Sequence, residues 1–448
     1  MSDAPTASLD NGAVAALADQ VLGPHDKAVP PAAWGRTVRE YLRMRPTRQQ
    51  FPTPVLTLSE ADLRHNIATM AEWCRAEGVD LSPHGKTTMA PQLWQRQFAA
   101  GSWAVTLANA AQLAVARSFG VDRVHIANSV ISPQALRWIA DDLAADPTYT
   151  VLTWADSPRT VHLMTKALAG HRPGEGAARP IPVAVEVGGP GGRTGARTLT
   201  DALDTARAIA ESPALLLAGV SGYEGSLAHS PAPDDLDRVR DYLQALRVTH
   251  ERIRDLDLYP PGSVPVLTAG GSAYFELVTQ ALAHLHDPEG ASQPAARVVL
   301  RSGAYIAHDD GFYRSISPFN RVGGTGLRSA MHAWVRVTSQ PEPGLALFDA
   351  GKRDLPFDEG MPEAQAVQRE GGTTVTPLSD PPKVTAVNDQ HGYLRWDPSA
   401  AAPLAIGDEV RLGLSHPCTA FDKWGLIPVV ADTDHDDPPV VDLVRTFF

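Results

Sequence analysis

Cysteine is almost absent. Only Cys74 and Cys418 occur in 448 residues, so no disulfide framework braces the fold and each thiol is judged by its neighbours. No apolar run approaches the roughly 18 residues of a membrane span, and the N-terminus has no basic stretch followed by an apolar one. Positive charge is in short supply too: 39 Lys and Arg against 51 Asp and Glu give a net charge of −12, which argues against nucleic acid as a partner. The expectation is a soluble, cytoplasmic protein with neither nucleic-acid nor membrane partners. What is present is ample core material, with 43% hydrophobic residues and, at about 150 residues per domain, length for more than one domain.

Residues 1–50 are rich in Ala, Pro and charge, with a short helical pattern near Val14 to Val21, and read as an N-terminal extension, partly mobile at its tip. From Thr53 onward, short apolar runs alternate with segments of helical period, the pattern of βα units and a parallel sheet. After an opening strand at Val55 to Leu58, strand candidates fall at 80–86, 103–107, 123–128, 150–155, 182–187, 215–221, 264–268 and 297–302. Helix candidates at 109–118, 132–143, 199–211 and 233–256 lie between them. Eight units predict an α/β fold, a (β/α)₈ TIM barrel over residues 51–317, with a doubly wound sheet as the alternative. Beyond residue 318 the texture changes to short alternating strands at 333–337, 345–348, 384–387 and 409–414, which predicts a C-terminal β domain over 318–448.

Reacting groups of such a barrel sit at the C-terminal ends of its strands. The first of the eight ends in Leu81-Ser-Pro-His-Gly-Lys-Thr87, which places Lys86 at the mouth and His84 two residues earlier on the same face. A partly desolvated amine is pushed toward its neutral, nucleophilic form, although a surface lysine is the plain alternative. The run Val183 to Gly195 leaves a strand through a glycine-rich loop presenting Arg193, whose guanidinium could hold a phenolate or a carboxylate. Leu267-Thr-Ala-Gly-Gly-Ser272 leads into a helix, so its backbone amides could cradle a phosphate; a tight turn without ligand is the alternative. His416 and Cys418 flank a proline. In an extended segment both would point to one face and could hold one zinc ion, against the plainer reading of a core cysteine beside a surface histidine. Cys74, in the helical pattern Met70, Ala71, Trp73, Cys74, reads as core.

Taken together and in order, Thr53-Pro54, Pro83-His84-Gly85-Lys86-Thr87, Arg193-Thr194-Gly195, Gly222-Tyr223-Glu224-Gly225, Thr268 to Ser272, Arg301 to Tyr305 and His416-Pro417-Cys418 resemble the fold-type III pyridoxal-phosphate enzymes. The resemblance covers roughly residues 50 to 430 and is to the D-serine dehydratase and D-threonine aldolase group, whose barrel is like that of alanine racemase. It implies that Lys86 carries pyridoxal 5'-phosphate as a Schiff base and acts as the catalytic base. It implies further that Gly270, Gly271 and Ser272 bind the phosphate, that Arg193 faces the phenolic oxygen, and that His84 and Tyr223 line the ring, with Tyr223 near the pyridine nitrogen. Tyr305 would reach the phosphate or the substrate. Dehydratases of the group hold zinc with a His and Cys pair like His416 and Cys418, whereas the aldolases have aspartate at the second position and use a manganese-type ion; thiolate favours zinc.

The implied substrate is a small D-amino acid with a β-hydroxyl, the implied reaction dehydration to a 2-oxo acid and ammonia, and the implied assembly a homodimer. Retro-aldol cleavage to glycine and an aldehyde is the competing reaction. Racemisation needs a second acid or base on the opposite face of the ring, for which no candidate stands out; a non-enzymatic carrier of the cofactor would not need the β domain, and a degenerate, inactive enzyme is the remaining alternative. Three stretches depart from the group's pattern or stand outside it. Asn388 to His391 stand where an acidic pair usually precedes His-Gly, leaving His391 as an extra candidate. Ser226 replaces a histidine, with His229 three residues on. The charged run Phe348 to Asp354 could contact a polar substrate or be a solvated hairpin.

Overall fold

The structure, a computed structural model, describes residues 6–448 except 288, 291–294 and 434. Its strands, in chain order, are β1 (Val55–Ser59), β2 (Asp80–Leu81), β3 (Val105–Leu107), β4 (Arg123–Ile126), β5 (Thr150–Ala155), β6 (Ile181–Val187), β7 (Leu215–Gly222), β8 (Val266–Ala269) and β9 (Arg297–Leu300). They continue with β10 (Met331–Glu342), β11 (Leu345–Phe348), β12 (Glu363–Gln368), β13 (Val375–Pro377), β14 (Lys383–Val387), β15 (Gly392–Arg395), β16 (Glu409–Gly413), β17 (Leu426–Val430) and β18 (Val440–Arg445). The chain forms two compact units. One holds residues 6–10, 70–86 and 95–303; the other holds 11–69, 87–94 and 304–448.

In the first unit the strand order is β2-β9-β8-β7-β6-β5-β4-β3, all parallel. The ring closes between β2 and β3: Trp103 N donates to Leu81 O at 2.7 Å and Thr106 N to Pro83 O at 2.8 Å, and the Ser82 and Thr106 hydroxyls meet at 2.7 Å. This is the predicted (β/α)₈ barrel, and its eight strands fall on the eight candidate runs. Strands covered on both faces read as near-continuous apolar stretches, as in β6, where Val183, Ala184 and Val185 are fully buried. The intervening helices start where a short polar side chain can accept an orphan amide. Asn109 takes Gln112 N at 2.9 Å, Ser157 takes Thr160 N at 3.2 Å and Thr198 takes Asp201 N at 3.1 Å.

The second unit contains a largely antiparallel sheet in which β10, β11, β15, β14, β12 and β16 close into a ring, extended from β10 through β1, β17 and β18. This is the predicted β domain. The opening strand, however, does not serve the barrel. β1 pairs antiparallel with β10, Val55 opposite Trp334, and parallel with β17, Leu58 opposite Val429. Nor is the segment before it a loose extension. Leu22, Val29, Ala33, Val38, Tyr41 and Phe51 form one apolar cluster with Val55, Trp334, Leu426 and Leu443, because the alternation of apolar and charged residues there gives it a buried face. No helix among the described residues is long and apolar enough to cross a membrane.

Candidate active site

Lys86 lies in the short turn Gly85–Thr87 that follows β2. His84, at the closing seam of the barrel, forms a parallel bridge with Thr106, and its Nδ1 is buried with no hydrogen-bond partner among the described residues. Burial, with the positive charges of Lys86, Arg301, His125 and Arg193 around it, pushes the imidazole well below its ordinary 6.5, so His84 is neutral at physiological pH. Arg193, exposed on the loop after β6, stacks its guanidinium 5.0 Å from the centre of the Tyr223 ring. Tyr223 leads out of β7, fixed by its own amide, which donates to Tyr242 Oη at 2.8 Å; that hydroxyl in turn donates to Val187 O at the end of β6.

The Tyr223 ring packs against the turn after β8. A Cβ on Gly271 would stand 2.8 Å from Tyr223 Cε2, and Gly270 has φ +96. Close approach and backbone conformation therefore account for this glycine pair. Their amides are not open to a ligand: Gly270 N donates to Glu224 Oε2 at 3.0 Å and Gly271 N to Glu224 Oε1 at 2.7 Å. Both donors of the expected phosphate cradle are engaged by a buried carboxylate in this structure. Ser272 follows directly, before the helix Phe275–Leu282.

Sequence reasoning gave no role to three charged residues here, although all three stand in runs that it quoted. Arg301, at the end of β9 and 1% exposed, donates to Gly222 O and to Thr268 Oγ1 at 2.5 Å, and lies 5.0 Å from the Trp154 ring centre. Glu224 is the second. The third, Glu186, is 5% exposed near the C-terminal end of an apolar strand. Its Oε1 accepts from Thr194 Oγ1 at 2.7 Å, while Oε2 has no partner among the described residues; burial, with the Asp156 charge, raises its pKa. A lone Glu within Val-Ala-Val-Glu-Val was the available signal, since a charge is not left in a buried strand without a use.

Tyr305, His416 and Cys418 belong to the second unit. Tyr305 is buried in the turn Ala304–Ile306. The segment carrying the other two is not extended: His416 is left-handed at φ +57 and Cys418 lies in the first turn of the helix Pro417–Phe421. The pair comes together nonetheless. Burial opposes its charge, yet hydrogen bonding to Cys418 and Asp358 raises His416 to about 9. His416 Nδ1 is 2.5 Å from Asp358 Oδ2, Thr419 Oγ1 donates to Asp358 Oδ1 at 2.6 Å, and the Cys418 thiol donates to Thr87 Oγ1 at 3.4 Å. Among the described residues no group of three or more His, Cys, Asp and Glu is arranged to hold a metal ion, so His416 and Cys418 would need ligands from elsewhere to complete a site. The charged run before residue 355 is structural at its buried end: Asp354, 2% exposed, accepts from Gly351 N and Gln390 Nε2, both at 3.0 Å, and pairs with Lys27 at 2.7 Å. His391 and His229 are exposed.

An amine, a neutral imidazole and a guanidinium stacked on a tyrosine gather at the ends of the strands, and the barrel carrying them has the alanine racemase-like fold. Comparison with known proteins gives the group. Residues 330–430 match the family "Putative serine dehydratase domain". The chain is 26% identical over 384 residues to D-threonine aldolase of an Arthrobacter species, covering 85% of this chain and 89% of that one. It superposes on D-threonine aldolase from Filomicrobium marinum with TM-score 0.71 and 22% identity, covering 90% and 97% of the two chains. With D-threo-3-hydroxyaspartate dehydratase from Delftia sp. HT23 the TM-score is 0.68 at 20% identity, covering 90% and 99%. The resemblance read from the sequence holds: the chain is similar to the D-serine dehydratase and D-threonine aldolase group.

Proposed function

We propose that the protein dehydrates a D-β-hydroxy amino acid, such as D-serine or D-3-hydroxyaspartate, to a 2-oxo acid and ammonia, with pyridoxal 5'-phosphate on Lys86 and zinc on His416 and Cys418. Relatives include both aldolases and a dehydratase, so similarity leaves the reaction type open. The observation that carries the choice is the pairing of His416 with a thiol, where an aldolase of the group has a carboxylate; soft sulfur selects zinc over a manganese-type ion.

In this reading Lys86 would hold the cofactor through its amine and would serve as the base for the α-proton. Arg193, stacked on Tyr223, would hold positive charge against the phenolic oxygen, and Tyr223 would support the ring. Burial and neighbouring positive charge hold the His84 pKa well below its ordinary value, which makes it a weak proton acceptor and leaves that role to Lys86. When bound, pyridoxal phosphate supplies an electron sink for the charge left at Cα. Zinc would supply a Lewis acid for the departing β-hydroxyl. Loss of the α-proton and the hydroxyl leaves an enamine that hydrolyses to the 2-oxo acid and ammonia. The specific rival is retro-aldol cleavage, favoured by the names of the relatives.

One assay separates the two. The protein, loaded with cofactor and zinc, is incubated with a panel of D- and L-β-hydroxy amino acids, and ammonia, glycine and aldehyde are measured together, with Lys86→Ala as the blank. Ammonia with a 2-oxo acid from D-substrates is expected. Glycine and aldehyde without ammonia would replace dehydration by aldol cleavage, and silence across the panel would favour a cofactor carrier.

A further inference from the structure

Glu224 is fully buried, yet neither the sequence motif nor the reaction gives it a task. Its two carboxylate oxygens take one glycine amide each, Gly270 N at 3.0 Å and Gly271 N at 2.7 Å. The same turn is held from the other side, because Ser302 Oγ donates to Gly271 O at 2.8 Å and the Arg301 amide donates to Gly270 O at 3.0 Å. The Arg301 side chain reaches Gly222 O and Thr268 Oγ1, so the ends of β7 and β8 are tied together above and below. The polar backbone of Gly270 and Gly271 is therefore spent on the protein. A phosphate could use those amides only by expelling a buried carboxylate, and two anions would then contend for one set of donors.

We propose that Glu224 is a positioning residue for the cofactor's phosphate. By clamping Gly270 and Gly271 it fixes the turn that carries Ser272, so the phosphate is received at Ser272 and onward, not at the glycine amides. The proposal rests on the pyridoxal-phosphate reading above. A purely structural carboxylate would also stabilise the turn, but its removal would not distinguish a phosphorylated ligand from an unphosphorylated one.

The test compares binding of pyridoxal 5'-phosphate and of pyridoxal, which lacks the phosphate, to the wild type, Glu224→Gln, Glu224→Asp and Ser272→Ala, read from the visible band of the lysine-bound ligand. Thermal melts confirm that each variant is folded. Glutamine keeps the shape but turns an amide toward an amide. Its expected effect is a loss of about ten-fold or more in affinity for the phosphorylated form, the order set by one charge-assisted hydrogen bond, with pyridoxal nearly unchanged. Ser272→Ala should show the same selective loss, and Glu224→Asp, one methylene short, an intermediate one. If Glu224→Gln weakens both ligands equally, or neither, the positioning role is wrong while the cofactor assignment stands. If the wild type binds neither ligand, the cofactor assignment falls and takes this proposal with it.

Discussion

Glu186 carries its own pH signature. Burial raises its folded pKa above the ordinary 4.5, so the native state holds a proton that the unfolded chain releases earlier. Its stabilising contribution is complete below about 4.5 and is lost as the pH rises through the higher folded value. Glu186→Gln, which can still accept from Thr194, should therefore match the wild type in acid and gain on it toward neutral pH; melting temperatures of the two across that range check this, and a constant difference would argue against it. Which residues could be read from sequence follows the same physics. Lys86, His84 and Arg193 sit at strand ends and beside glycines, where local spacing announces them; Tyr223 came only from the resemblance. Glu224, Arg301 and Asp358 act through partners distant in the chain, such as Gly270, Thr268 and His416, which local spacing does not disclose.

Among the elements, the eight barrel strands were legible because each is a short apolar run followed by a helix of clear period. The second sheet was legible only in part. β12 reads Glu-Ala-Gln-Ala-Val-Gln and β15 Gly-Tyr-Leu-Arg, too short and too polar to signal a strand, and Pro428 interrupts β17 where a proline argues against one. In β15 the glycine is required by its partner strand. Gly392 lies opposite Phe348 in β11, and a Cβ there would stand 1.8 Å from the Phe348 ring. Gly392→Ala should cost about 1–3 kcal/mol from overpacking, seen as a lowered denaturation midpoint. Gly425→Ala, with nothing within 4 Å of its Cβ position, is the matched control and should be near neutral; equal effects would remove the explanation.

For the whole molecule, the sequence suggested a clean cut near residue 318, whereas the second unit also needs residues 11–69 and 87–94. β1 lies between β10 and β17, so a fragment of residues 318–448 lacks a central strand and leaves β17 and β18 as a two-stranded hairpin, which is marginal alone. That fragment should lack a cooperative thermal transition, and the same fragment with residues 11–69 fused to it should regain one; a sharp transition in the short fragment would show that β1 is dispensable. The placement of β1 also bears on how the chain is made. Its five residues are all buried in the finished sheet, but β10 leaves the ribosome roughly 280 residues later, which at ordinary elongation rates is roughly a quarter of a minute to a minute. Throughout that interval the nascent chain carries an apolar strand whose hydrogen-bonding edges have no native partner, an aggregation-prone segment for as long as the barrel is being translated.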